Sequence, residues 1–173
     1  MRLFSSILIL VLFGSAHAQI YVLKDSSQLY PDTQQLYTSL PEMCDSFYAT
    51  FISNDMTGFK KFTPRVKYLK ETFDTLAIEY REEQVLYRQQ MLLRNLQRSY
   101  KKITKYAEKN NIKLKRIENS GTDYRYGEDE QKNRYCYITV YCTRKKHEYE
   151  LKYLAIQLNG HWFVGDELSF SKL

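Results

Sequence analysis

The chain has few of the residues that loosen or break regular structure. Only 6 glycines and 3 prolines occur in 173 residues, which excludes collagen-like repeats and the Gly- and Pro-rich composition of many disordered chains. The length fits one domain with enough chain to bury a core. We therefore expect a single folded unit whose helices and strands are seldom interrupted.

The usual motifs of metal, nucleotide and hydrolase sites are also absent from the sequence. It contains no His-Glu-x-x-His, no Cys-x-x-Cys, no Gly-x-Ser-x-Gly and no glycine-rich phosphate loop, which are the patterns that predict such sites. Cys44 lies within an apolar helical stripe, so core packing explains it better than pairing with a distant histidine. The sequence therefore predicts no cofactor, no metal site and no nameable catalytic residue.

The first 18 residues have the pattern of a cleaved secretory signal. Arg2 supplies a positive charge, residues 3–13 form an apolar run, and Ala16 and Ala18 are small residues at the −3 and −1 positions. The run has about 11 residues, whereas a membrane-spanning helix needs about 20. We expect a secreted or periplasmic chain that begins at Gln19 and has no transmembrane segment after cleavage.

Three cysteines, Cys44, Cys136 and Cys142, follow this segment. An export compartment permits disulfides, but the odd number leaves at least one thiol free or intermolecular. Cys136 and Cys142 are about 20 Å apart in an extended strand, too far to pair. A disulfide would therefore join Cys44 to Cys136 or Cys142; the alternative is three buried free thiols.

Aromatic and basic residues are unevenly used. The chain has 16 tyrosines against 1 tryptophan, and tyrosine suits half-exposed sheet faces and interfaces. Residues 60–116 hold 16 basic and 6 acidic side chains. The basic residues between Arg94 and Lys109 lie opposite an apolar stripe, as on an ordinary solvated helix face. Export argues against nucleic acid, and anionic polymers or lipid headgroups remain alternative partners.

Helical spacing dominates the first half of the chain. Residues 19–39 form a polar arm. The first predicted helix follows, with an apolar stripe along one face, and it ends at residues 54–58. That stripe consists of Leu40, Met43, Cys44, Phe47, Tyr48, Phe51 and Ile52. Thr63-Pro64 predicts the start of the next helix. Residues 65–110 contain no breaker, but the apolar face changes phase, so we place a break or bend between Ala77 and Glu83.

Period-two alternation replaces helical spacing after residue 111. It predicts strands over residues 113–126, 134–143, 147–158 and 161–170, with a bulge at Ser120-Gly121. Asn159-Gly160 predicts a type I′ hairpin turn. The resulting register sets Leu158 opposite His161, Gln157 opposite Trp162, Ile156 opposite Phe163, Ala155 opposite Val164, Leu154 opposite Gly165 and Tyr153 opposite Asp166.

Both faces of this predicted sheet are substantially apolar. Helices can cover one face, and a second subunit or the N-terminal arm is the natural cover of the other. We therefore predict a homodimer through a tyrosine-rich sheet face. The candidate interface residues are Tyr135, Tyr137, Tyr141, Tyr153 and Trp162.

Two segments resemble the nuclear-transport-factor-2-like superfamily of cystatin-like α+β cones. Residues 43–55 are similar to its helix that ends in a small-polar-Asp turn, and residues 148–164 are similar to its terminal hairpin with an Asn-Gly turn. The resemblance implies an α+β fold, a single domain over residues 40–173, with N-terminal helices packed on a bent antiparallel sheet of about four strands. Its members include ketosteroid isomerase and many small secreted bacterial domains.

Three functions are consistent with these features. The first is an exported, non-enzymatic domain that binds a small ligand or a protein. The second is an isomerase- or dehydratase-like enzyme with a carboxylate and a tyrosine in the cone, as in ketosteroid isomerase. The third is a basic surface-adhesion protein. The absence of a catalytic set favours the first.

Overall fold

The computed structural model describes residues 35–70, 78–130 and 132–173. The predicted signal segment and residues 19–34 of the polar arm lie outside these ranges. The described chain is an α+β structure in which the helices precede an antiparallel sheet, as predicted. None of its described helices combines the length and the apolar character needed to cross a bilayer.

Three α-helices and two 3₁₀ turns lead into and connect to the sheet. The helices are α1 (Leu40–Ser53), α2 (Val66–Leu69) and α3 (Ile78–Lys109). The first 3₁₀ turn is Gly58–Phe62 and the second is Leu114–Arg116. The strands are β1 (Glu118–Glu128), β2 (Arg134–Arg144), β3 (His147–Leu158), β4 (His161–Val164) and β5 (Ser169–Lys172).

Helix α1 forms where the apolar stripe predicts it. The Ser39 hydroxyl accepts the N–H of Glu42 at 3.5 Å, and Asn54 ends the helix in the left-handed region at a φ of 64°, a conformation that asparagine tolerates well. Six of the seven predicted stripe residues are buried, and Ile52 packs against the core at its edge.

The following helices differ from the prediction in where they begin. Thr63 is not the N-cap of the next helix, because Arg65 holds that position; the Thr63 hydroxyl donates to the Lys60 carbonyl at 3.1 Å within the preceding turn. Helix α2 therefore starts only at Val66 and is short. Helix α3 is described from Ile78 to Lys109 and is continuous through Glu83, so the predicted break between Ala77 and Glu83 is wrong for residues 78–83; residues 71–77 lie outside the described ranges.

The sheet has the order β1-β2-β3-β4, and β5 pairs with β3 beyond β4. The predicted bulge is present, because the β1–β2 register shifts between Asn119 and Gly121. The Asn159-Gly160 turn is present as well, with φ of 51° and 77°, and the β3–β4 register is the predicted one from Leu158–His161 to Ala155–Val164.

The first strand begins later than predicted. Residues 114–116 form a 3₁₀ turn rather than a strand. In a continuous strand, Leu114 and Ile117 would lie on opposite faces, so only one of them could face the core. The turn changes the phase of the chain, so that Ile117 is buried and Leu114 still packs against the core.

The predicted fourth strand is two strands. The Gly165 N–H donates to the Leu154 carbonyl at 2.7 Å, but pairing then stops and resumes at Lys152–Ser169. A Cβ on Gly165 would lie 3.3 Å from that carbonyl oxygen, so this close approach favours glycine. The predicted pairing of Tyr153 with Asp166 is therefore wrong.

Two apolar clusters hold helices and sheet together. The larger one lies between the helices and one face of the sheet, which we call the inner face. The smaller one consists of Tyr68, Leu69, Val85, Leu158 and Phe163. It lies on the opposite, outer face at the β4 end, so α2 and the start of α3 cover that end of the outer face.

The end of the N-terminal arm also reaches the sheet. The Trp162 N–H donates to the Tyr37 carbonyl at 2.7 Å, which adds a single bridge at the β4 edge. Tyr37 is buried and its ring stacks on Phe62 at 5.8 Å. Part of the predicted arm thus packs against the domain.

Candidate functional site

The outer face of the sheet is the candidate site. Successive strand residues point to opposite faces, and the register sets Arg125 beside Tyr137 and Tyr137 beside Leu154. These three residues therefore form a row across β1, β2 and β3. The smaller cluster covers the β4 end of the outer face, but the row lies beyond it.

Tyrosine dominates the exposed part of this face. Tyr137 is 47% exposed, while Tyr135, Tyr141 and Leu154 are half-buried. The Tyr135 ring lies over Gly127 on the neighbouring strand, where an added Cβ would come within 2.4 Å of the ring. Glycine at this position lets the tyrosine ring lie flat across β1.

A groove of about 530 Å³ runs beside this row. Tyr137 and Tyr141 contribute aromatic surface. Ser99 of α3 and the segment 166–169 between β4 and β5 contribute the far wall. The irregular segment after Gly165 thus creates this wall, which a continuous fourth strand would not provide.

Three of the charged groups that line the groove have hydrogen-bond partners. Lys152 Nζ lies 2.6 Å from Glu150 Oε1, and this hydrogen bond is the main reason that the pKa of Glu150 is lowered. Asp166 accepts from Asn95 Nδ2 at 3.0 Å. Arg125 and Glu167 also line the groove, which is therefore suited to hydrogen bonding and ring contacts with a polar partner.

A tyrosine–aspartate hydrogen bond lies on the same face. The Tyr141 hydroxyl donates to Asp123 Oδ2 at 3.0 Å. This bond raises the pKa of Tyr141, because it stabilises the protonated phenol and the carboxylate repels a phenolate. The Tyr141 phenol therefore stays protonated at neutral pH, and its hydrogen bond ties β1 to β2.

The predicted interface residues divide between the two faces. Tyr135, Tyr137 and Tyr141 come together on the outer face. Tyr153 is 1% exposed and Trp162 is 4% exposed, because both lie on the inner face. The β2–β3 register sets Tyr137 opposite Leu154 and Ile138 opposite Tyr153, so Tyr153 cannot share a face with Tyr137.

The three cysteines are all buried free thiols in this structure. Burial raises the pKa of Cys44 to about 12 and that of Cys142 to about 11. Thiols so protonated are poor nucleophiles and poor metal ligands. The Cys44 disulfide stays a prediction, and the described residues contain no group of His, Cys, Asp or Glu placed to hold a metal ion.

Aromatic rings fill the space between α1 and the inner face. Phe47 contacts Tyr153 at a ring distance of 4.7 Å and Phe59 at 5.3 Å. The buried polar residues among those described are Thr63 and Gln89, so the described interior holds no buried carboxylate. The isomerase alternative, which needs a carboxylate base beside a tyrosine, stays a prediction.

Sequence reasoning missed most of the residues that line the groove, and Arg125 and the segment 166–169 show why. Arg125 lies within the predicted strand over residues 113–126, so alternation could have assigned it to one face of that strand. The segment 166–169 could not be found in this way, because the prediction continued the strand through it. The single signal was Gly165, which is also compatible with an uninterrupted strand.

Comparisons of the chain with family models, with curated proteins and with solved structures found no match.

Proposed function

We propose that this chain is an exported, non-enzymatic binding domain that uses the outer face of its sheet and associates there with a second copy of itself. Secretion is supported by the signal-like residues 1–18. The binding role is supported by a groove on the outer face that Tyr137 and Tyr141 line.

The exposed tyrosine row is the observation that carries the proposal. Tyr137 lies in the middle of the sheet, yet 47% of its surface is exposed. Its neighbour on β3 is the half-buried Leu154. Tyrosine is enriched at protein interfaces, because it offers a large ring and a polar tip at low entropic cost. Among the described residues, α2 and the start of α3 cover the β4 end of this face, and Tyr137 of the row remains exposed.

The resemblance to nuclear-transport-factor-2-like cones belongs to this proposal as well. It is supported by local features: α1 ends in a turn in which Asp55 accepts the Gly58 N–H at 2.9 Å, and β3 and β4 are joined through Asn159-Gly160. Members of that superfamily are often binding modules and only sometimes enzymes. A crystal structure with a flat sheet or a different helix arrangement would reject the resemblance.

Light scattering coupled to size-exclusion chromatography tests the association. We expect a dimer at micromolar concentration, and we expect Tyr137→Glu to weaken it at least tenfold, because a carboxylate would be buried against Leu154 of the partner copy. Tyr87→Glu is the matched control. Tyr87 is 59% exposed on α3, so its replacement changes the same charge without touching the sheet.

A strict monomer at all concentrations would overturn the homodimer. Equal weakening by Tyr87→Glu and Tyr137→Glu would also overturn it, since general charge repulsion would then explain the loss. Circular dichroism of both variants establishes that each is folded before the masses are compared.

A further inference from the structure

A second groove lies on the other side of the molecule from the tyrosine row. It has a volume of about 520 Å³ and is formed by the end of α1, the last turns of α3 and the second 3₁₀ turn, Leu114–Arg116. Small-molecule sites commonly measure about 300–1,000 Å³. The groove shares no lining residue with the outer-face groove.

The floor of this groove is apolar and incompletely covered. Ile52, Met56 and Leu114 are half-buried and pack against the larger core cluster. Ala107 and Ile112 complete the floor below them. Apolar side chains grouped in a concave surface favour an apolar ligand, because burying their remaining area releases water.

Specific hydrogen bonds hold this floor in place. The Asp55 carboxylate accepts the Gly58 N–H at 2.9 Å and the Thr57 hydroxyl at 2.7 Å, which fixes the loop that carries Met56. The Tyr48 hydroxyl donates to the Ile117 carbonyl at 3.0 Å, which anchors the second 3₁₀ turn to α1. The groove is therefore formed before any ligand arrives.

The rim of the groove is cationic. Lys113, Lys115 and Arg116 line it and are exposed, and Glu108 is the one carboxylate among its lining residues. The 3₁₀ geometry explains this arrangement, since the Arg116 N–H donates to the Lys113 carbonyl at 2.9 Å. The turn directs Leu114 toward the floor while its basic neighbours stay in solvent.

We propose that this groove binds a single-chain anionic amphiphile, a fatty-acid-type carboxylate whose tail lies on the apolar floor and whose head contacts the basic rim. Charge complementarity selects the anionic head, and the apolar floor selects the alkyl tail. This site is independent of the proposed association through the outer face. Its occupant is a monomeric amphiphile rather than a membrane surface.

Methyl NMR with dodecanoate tests the site directly. With methionine methyl groups labelled, we expect the Met56 signal to shift on titration, whereas Met43, which is 0% exposed, stays in place. Hexanoate keeps the head and shortens the tail, so it should bind much more weakly, by about twofold to fourfold per methylene removed. Dodecyltrimethylammonium keeps the tail and reverses the head charge, so it should not saturate the site.

Two charge-reversal variants separate the site from the overall field. Lys115→Glu should weaken dodecanoate binding at least fivefold, because it replaces a rim cation. Lys146→Glu makes the same change in net charge in the exposed turn between β2 and β3 and should leave the affinity unchanged. Circular dichroism checks the fold of both.

Several results would overturn the proposal. Equal loss in both variants would show a non-specific electrostatic effect. A Met56 signal that does not move with dodecanoate would show that the floor is not used. Binding to anionic vesicles without binding of monomeric dodecanoate would assign the basic rim to a membrane surface instead.

Discussion

Two buried tyrosines show how much a single polar atom matters in this core. The Tyr100 hydroxyl donates to Asn54 Oδ1 at 2.6 Å and lies 3.2 Å from the Phe51 carbonyl. The Tyr153 hydroxyl has no nitrogen or oxygen partner among the described residues, and its neighbour is the Cys44 thiol. A thiol is a weak partner, so Tyr153 retains most of the desolvation cost of its hydroxyl.

Removing the two hydroxyls should therefore have opposite consequences. Tyr153→Phe keeps the ring contact with Phe47 and should leave the free energy of unfolding unchanged or raise it by up to about 1 kcal/mol. Tyr100→Phe removes a made hydrogen bond and should lower it by about 1–2 kcal/mol. Urea unfolding of both variants measures the difference, and a larger loss in Tyr153→Phe would show that its hydroxyl has a strong partner.

At the scale of the element, local signals predicted some features well. The β3–β4 hairpin was predictable because Asn159 and Gly160 both accept a positive φ, which fixes the turn and with it the register. The α1 stripe was predictable because its spacing matches one face of a helix. The division of the predicted fourth strand at Gly165 was not predictable. It depends on the close approach of Gly165 to Leu154, and the alternation of apolar and polar residues carries no information about that distance.

The turn also offers a test of backbone strain. Gly160→Ala should lower the free energy of unfolding by about 1 kcal/mol, because alanine must adopt a φ of 77°. Gly121→Ala is the matched control. Gly121 has no positive φ and open space around it, so its replacement should be neutral or slightly stabilising. Equal losses measured by urea unfolding would contradict a left-handed Gly160.

At the scale of the molecule, the sequence could predict a two-sided sheet but not which tyrosines face outward. Period two assigned Tyr135, Tyr137 and Tyr141 to one face. The assignment of Tyr153 and Trp162 required the β2–β3 register, which no local turn signal fixes. The cover of the β4 end was also unpredictable, because it depends on how α2 and the start of α3 pack against the sheet.

The buried thiols should make the whole molecule less stable at alkaline pH. Cys44 and Cys142 have pKa values of about 12 and about 11 in the folded state, because burial disfavours the thiolate, against about 8.5 in an unfolded chain. Above pH 9 the unfolded state loses protons that the folded state keeps. Stability contributed by these thiols is therefore complete below about pH 8.5 and declines as the pH rises toward the folded pKa values.

We expect the free energy of unfolding to fall by at least about 2 kcal/mol between pH 8 and 10.5, since each unit of pKa difference corresponds to about 1.4 kcal/mol. Urea unfolding at several pH values measures this slope. Cys44→Ala should make the pH dependence of the free energy of unfolding shallower, because one of the two thiols with a raised pKa is removed.

The redox state of the cysteines is measured by counting reactive thiols in denaturant without reductant. A count of three establishes free thiols, and a count of one would instead indicate the Cys44 disulfide. A flat pH profile with three free thiols would contradict their burial, because accessible thiols ionise equally in both states.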